Sequence, residues 1–279
     1  MSTVVAFQGE RGAFSEEAAR KLISDSIDVR PSETFDDVFA SVASGDATCA
    51  VVPIENSLAG SVLRNYELLA NADLTIRGEL FLPISLNLIV RPGAPIEDIR
   101  SVFSHPVALA QCHRFIAEHH LDAKPAYDTA GSVKQLMSEG SEDEAAIAGA
   151  AAAAIYGAEI AARSIEDHPE NFTRFLLLTP VTSSLMPHAS SLMKTTILFR
   201  TPNKPGALFR ALAAFALRDI NLTKLESRPI EGRPWEYSFY ADLGGDAAEA
   251  NVARAIDHLR EMCETMRVLG SYPAATFPS

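Results

Sequence analysis

The stretch Val4-Val5-Ala6-Phe7-Gln8-Gly9-Glu10-Arg11-Gly12-Ala13-Phe14-Ser15 decides the class of fold. Its apolar opening, with two β-branched valines, favours a strand that stops at Gly9. Ser15 offers a hydroxyl to cap a helix, and Ala18, Ala19 and Leu22 continue at helical spacing. The same succession repeats outward. Helices are expected around Asp36–Ser44, Leu63–Ala70, Ala108–His119 and Val133–Glu139. Strands are expected at Cys49–Pro53, Ile84–Val90 and Phe175–Leu178, with a strand-and-helix pair in Ala145–Ile155. Interleaving of this kind implies an α/β domain with a largely parallel sheet.

The 279 residues fit one large domain or two moderate ones. Thr179–Ser191, rich in Thr, Ser, Pro and His, reads as a linker. Beyond it, Thr195–Phe199 reads as a strand, and Leu208, Leu212 and Phe215 share a helix face. Asn221–Arg228 and Trp235–Leu243 alternate as two strands joined by a turn at Glu231-Gly232. Val252, Ile256, Leu259 and Cys263 mark a second helix, and Met266–Leu269 a last strand. The order β-α-β-β-α-β is that of the ferredoxin-like fold.

A net charge of −12 repels phosphate backbones, which argues against nucleic acid as a partner. It also means that any anion site rests on a few locally placed groups. Cys49, Cys112 and Cys263 lie far apart and read as reduced thiols, with no zinc spacing. No histidine spacing suits a metal, so none is expected. The alanine-rich Ala145–Ala162, interrupted by Glu159, reads as buried helix rather than membrane span, and the opening residues do not read as a signal peptide. A cytoplasmic protein is expected.

Polar clusters fall where predicted strands end, the place where α/β sheets bind ligands. Glu55-Asn56-Ser57 follows one strand, although Asn56 or Ser57 would also serve as a plain helix cap. Ser104-His105-Pro106 and Gln111-Cys112-His113 form another cluster, in which a lone His105 is more often structural than catalytic. Asn171-Phe172-Thr173-Arg174-Phe175 combines a hydroxyl with a guanidinium fork suited to a carboxylate. Taken singly, each cluster has an ordinary structural explanation.

Taken in order, they resemble the prephenate dehydratases over nearly the whole chain. Gln8-Gly9-Glu10-x-Gly12-Ala13-Phe14-Ser15 is similar to that family's opening motif, and Pro53-Ile54-Glu55-Asn56-Ser57 to its P-I-E-N-S motif. Ser104-His105-Pro106-x-Ala108-x-x-Gln111-Cys112, Asp128-Thr129-Ala130 and Thr173-Arg174-Phe175 are similar to three more. Pro205-Gly206-Ala207-Leu208 and Glu226-Ser227-Arg228-Pro229 resemble the ligand motifs of an ACT regulatory domain. The resemblance implies a two-lobed, periplasmic-binding-protein-like α/β catalytic domain followed by a ferredoxin-like ACT domain. Expected bounds are 1–180 for the first, with lobes of roughly 1–78 plus 176–185 and 79–175. A linker at 181–193, the ACT domain at 194–272 and a tail at 273–279 would follow. With the dehydratase motifs beginning at once, no chorismate mutase domain is expected in front of them.

The implied reaction removes water and carbon dioxide from prephenate to give phenylpyruvate, without a cofactor. Thr173 is the implied catalytic hydroxyl, and Glu55 is a candidate for the group that completes the proton path. Gly12, Ser15, Asn56, Ser57, Ser104, Thr129, Arg174 and Phe175 are implied in substrate binding. Phenylalanine, the implied effector, would be held by Asn203, Pro205, Gly206, Ala207, Leu208, Asn221, Leu222, Glu226 and Ser227, in a homodimer or dimer of dimers formed through the ACT domains. Two other readings stand beside this one: dehydration of arogenate, and a non-catalytic two-lobed solute binder carrying an amino-acid sensor.

Overall fold

A computed structural model describes residues 3–183, 185, 192–230 and 232–277. Most of the expected linker, Glu231 of the expected turn and the last two residues of the expected tail lie outside the described residues. The chain divides into two compact units. Met1–Ala72, Leu80–Leu177 and Phe277–Ser279 make the first, and Asp73–Glu79 with Leu178–Thr276 the second.

The first lobe of the first unit begins with β1 (Val4–Gln8), α1 (Phe14–Leu22), β2 (Asp28–Ser32), α2 (Phe35–Ser44) and β3 (Cys49–Asn56). It continues with β4 (Gly60–Ser61), α3 (Leu63–Asn71) and β5 (Leu74–Pro83), whose residues up to Glu79 belong to the second unit. The second lobe carries β6 (Asn87–Val90), β7 (Ser101–Ser104), α4 (Pro106–Gln111), α5 (His113–Glu118) and β8 (Asp122–Pro125). It ends with α6 (Thr129–Glu139), β9 (Glu144–Ala148), α7 (Ala150–Tyr156) and β10 (Glu159–Ala162), after which β11 (Phe172–Pro180) re-enters the first sheet.

The first sheet runs β2-β1-β3-β11-β5, with β4 paired to β3. The second runs β10-β6-β9-β7-β8. In the first, β1 is parallel to both β2 and β3. The second is mixed rather than largely parallel, because β6 runs antiparallel to β9 and β10. The chain enters β6 from the other sheet, so no crossover helix sets its direction. The strand expected at Ile84–Val90 is only its second half; its first residues bridge β5 to β6.

Two helix expectations change. The cap of α1 is Ala13, with no side-chain bond, and Ser15 stands in the first turn. The helix expected over Ala108–His119 breaks at Cys112 into α4 and α5. The alanine-rich stretch is not one buried helix but β9, α7 and β10: Ala146, Ala148 and Ala152 pack with Phe7, Val133 and Leu136, whereas Ile155 on α7 is exposed. Among the described residues no helix is long and apolar enough to cross a membrane.

The second unit contains β12 (Met193–Arg200), α8 (Ala207–Ala216), β13 (Leu222–Ile230), β14 (Arg233–Gly244), α9 (Ala250–Met262) and β15 (Thr265–Pro273). This is the expected β-α-β-β-α-β order, in an antiparallel sheet β13-β14-β12-β15. Ile197, Phe199 and Leu243 face α8 and α9 through Phe215, Ile256 and Leu259. Gly270 has no room for a side chain, since a Cβ there would lie 2.2 Å from the Ile76 carbonyl oxygen. Close by in sequence, the Thr75 hydroxyl donates to Leu269 O (3.1 Å). Trp235, at φ +67° on β14, is 81% exposed.

Candidate active site

A cavity of about 590 Å³, ordinary for a small-molecule site, lies between the two sheets of the first unit. Thr173 and Phe175 line it from β11, and Asn56 from the end of β3. Ser15 reaches it from the first turn of α1, and Thr129 from that of α6. Arg64 adds a cation to the lining, paired there with Asp36.

One flank of the cavity is built from amides. Asn56 Oδ1 accepts from the backbone N–H groups of Leu58 (3.0 Å) and Ala59 (2.8 Å), which can only donate. Its Nδ2 therefore faces acceptors: Asn171 Oδ1 (2.8 Å), Phe172 O (3.1 Å) and Thr173 Oγ1 (3.0 Å). Asn171 Nδ2 then donates to Gln111 Oε1 (3.1 Å), and Gln111 Nε2 returns to Asn56 Oδ1 (3.3 Å). Three amides close a ring that joins β3, the re-entry of β11 and α4 of the second lobe. Because Thr173 Oγ1 accepts from Asn56, its own proton points elsewhere, and no acceptor among the described residues takes it.

The other flank is polar and more open. The Gln8 amide donates to the Tyr127 hydroxyl (3.0 Å), which in turn donates to Glu33 O. Asp128 caps α6 through Gly131 N–H (2.9 Å) and also accepts from Glu10 N–H (2.9 Å) across the lobes. His105 caps α4, its Nδ1 accepting from Val107 N–H (3.2 Å), so the ring proton sits on Nε2. Burial pushes the His105 pKa down, opposed by Asp128, and holds the ring neutral at pH 7.

Strand and turn geometry sorts the expected residues. Thr173, Asn56, Ser15, Thr129 and Phe175 meet at the cavity. Arg174, one residue on from Thr173, turns to the opposite face of β11, is 6% exposed and does not line the cavity. Glu55 stands opposite Ser61 in the β3–β4 pair, away from the cavity lining. Ser57 stitches the re-entering strand, donating to Glu170 O (3.1 Å) and accepting from Phe172 N–H (3.0 Å). Ser104, fully buried, donates to Ile147 O (2.6 Å) and ties β7 to β9. Gly12 serves close packing: at φ +86°, a Cβ would lie 2.7 Å from Ala152 Cα in the second lobe. Asn171, Gln111 and Tyr127 were not among the expected site residues. Their signal was the crowding of uncharged hydrogen-bonding side chains beside the same strand ends.

In the second unit, Gly206 starts α8 in the left-handed region at φ +74°, leaving the helix start without a side-chain cap. Leu222 packs on the core beneath the helices. Glu226 pairs with Tyr240 and Ser227 with Phe239, so the two neighbours point to opposite faces of the sheet.

Residues 5–182 match the family described as prephenate dehydratase, and residues 195–261 match the ACT domain. The chain belongs to the prephenate dehydratase family. It is thus an enzyme of the carbon–oxygen lyase class. It is 44% identical to the arogenate dehydratase/prephenate dehydratase 2 of Arabidopsis thaliana, over 98% of this chain and 73% of that one. It is 38% identical to a bifunctional N-acyl-homoserine lactone acylase/prephenate dehydratase of Komagataeibacter europaeus, over 98% and 97% of the two chains. A prephenate dehydratase from Arthrobacter aurescens, solved in complex with L-Phe, superposes with a TM-score of 0.88 at 33% identity, covering 97% of this chain and 90% of that one.

Proposed function

We propose that this dehydratase acts on prephenate, converting it to phenylpyruvate, water and carbon dioxide in the cavity lined by Thr173. The observation that carries the reading is the direction of the Thr173 proton. With its oxygen engaged by Asn56, the hydroxyl is an oriented donor for the departing ring hydroxyl. As the carbon–oxygen bond breaks, the ring carboxylate leaves as carbon dioxide and its electron pair completes the aromatic ring. The departing hydroxide takes up one proton to become water. The Ser15 and Thr129 hydroxyls and the Arg64 guanidinium, all in the lining, suit the substrate's carboxylates, the task expected of Arg174. Incubation of the protein with prephenate, followed by the absorbance of phenylpyruvate, tests this; no product would overturn it.

One observation favours arogenate as a second substrate. Glu33 and Asp128 line the cavity, carboxylates that an ammonium group would meet favourably, whereas Asp36 is already paired with Arg64 of the same lining. The Arabidopsis relative named for both activities is consistent with this. Parallel assays on the two substrates separate the readings by their ratio of kcat/KM.

For the second unit we infer phenylalanine as effector, bound where the uncapped start of α8 at Gly206 meets a second copy of the chain, and a dimer formed through this domain. The Arthrobacter neighbour's L-Phe complex supports the choice of ligand. The proposed catalytic domain is 1–180 and the proposed regulatory domain 194–272. Calorimetric titration of phenylalanine into wild type and Gly206→Val tests the site; equal binding by both would move it elsewhere.

A further inference from the structure

We infer that Asn171 is a positioning residue: it locks Asn56 so that the Thr173 hydroxyl can only donate into the cavity, and it does so only while Gln111 of the second lobe completes the ring. The inference rests on the reading that Thr173 acts there. Asn171 is fully buried and does not line the cavity, so it acts through its neighbours rather than on substrate. The polarity of the whole ring is set at one point, by the two backbone N–H groups of Leu58 and Ala59 on Asn56 Oδ1. From there each amide has one permitted orientation, and Thr173 receives a donor rather than an acceptor. The Asn171 carbonyl also accepts from Ile84 N–H (2.8 Å), in the segment leaving for the second lobe, so the residue spans both strands of the crossover.

The ring is closed by members of both lobes and is complete only when the lobes are together. Displacing α4 would remove Gln111, leave the buried Asn171 amide with an unmade bond and loosen the acceptor that Asn56 Nδ2 meets, while Leu58 and Ala59 still hold Asn56 Oδ1.

Asn171→Asp keeps shape and the acceptor toward Asn56 but sets a second oxygen against Gln111 Oε1. Turning Gln111 only moves the conflict to Asn56 Oδ1, which its backbone donors hold in place. The expected result is a loss of about 10–100-fold in kcat with KM nearly unchanged, the scale of a misplaced catalytic group. The uncharged Asn171→Ser should lose kcat in the same direction, measured below the unfolding midpoint of both variants. In a Thr173→Ala background the further loss from either change should be under about 3-fold, because the effect passes through Thr173. Wild-type kcat in Asn171→Ser, or the same fold-loss with and without Thr173, would overturn the inference. Full activity in Thr173→Ala alone would instead remove the functional reading beneath it.

Discussion

The two flanks of the cavity are held by unlike seams. On the amide flank the bonds are part-buried, uncharged and directional, and centre on Asn171, which is wholly inaccessible. On the other flank Tyr127 is 49% exposed, and the Lys134–Glu10 pair (2.9 Å) has side chains 54% and 35% exposed. Exposed ion pairs contribute little and are screened by salt, whereas a buried amide left unpaired is costly. The difference sets which seam a single substitution disturbs more: the loss of one amide is felt, and the loss of one exposed pair is not.

The strongest test of that contrast removes what the amide seam aims. Thr173→Ala should lower kcat by roughly 10²–10³-fold, the cost of one oriented donor, with little change in unfolding midpoint. Steady-state kinetics beside a thermal melt check both halves.

A second test wedges the lobes. Gly12→Ala puts a methyl 2.7 Å from the Ala152 backbone in a left-handed conformation and should cost about 1–3 kcal/mol of stability, read by denaturant unfolding.

A third uses chemistry already in place. Cys112 is fully buried beside Gln111, and burial pushes its thiol pKa up to about 12. The folded state thus favours the thiol, a contribution present below the unfolded value near 9 and lost as pH rises from there toward 12. At pH 8 Cys112 should resist thiol reagents in the wild type and react faster in Asn171→Ser; equal rates would deny that the amide seam holds this corner shut.

The smallest effect belongs to the exposed seam: Lys134→Ala should leave the unfolding midpoint almost unchanged, and the small difference should vanish in high salt.

How much was legible follows the same physics. Strands buried on both faces announce themselves by apolar runs, so β1, β3 and β11 were readable. The edge strands β2, β8 and β10 were not, being short and largely exposed, with Pro31 inside β2. β5 hid because Arg77, Gly78 and Glu79 interrupt its alternation. Motifs located the site to within a residue or two but could not say which neighbour faces it. Thr173 and Arg174, or Asn56 and Ser57, look equally eligible in sequence, and only backbone direction separates them. Asn171 had no charge or nucleophile to draw attention; its importance lies in what it touches.

Trp235 is the chain's sole tryptophan and stands in solvent on β14 of the regulatory unit. Nature has in effect painted one unit and left the other blank. Indole emission will be blind to melting confined to the dehydratase lobes, while any blue shift on adding an amino acid reports new cover over the β13–β14 hairpin alone. A single cuvette can therefore follow the ACT unit by its emission and the dehydratase lobes by their product.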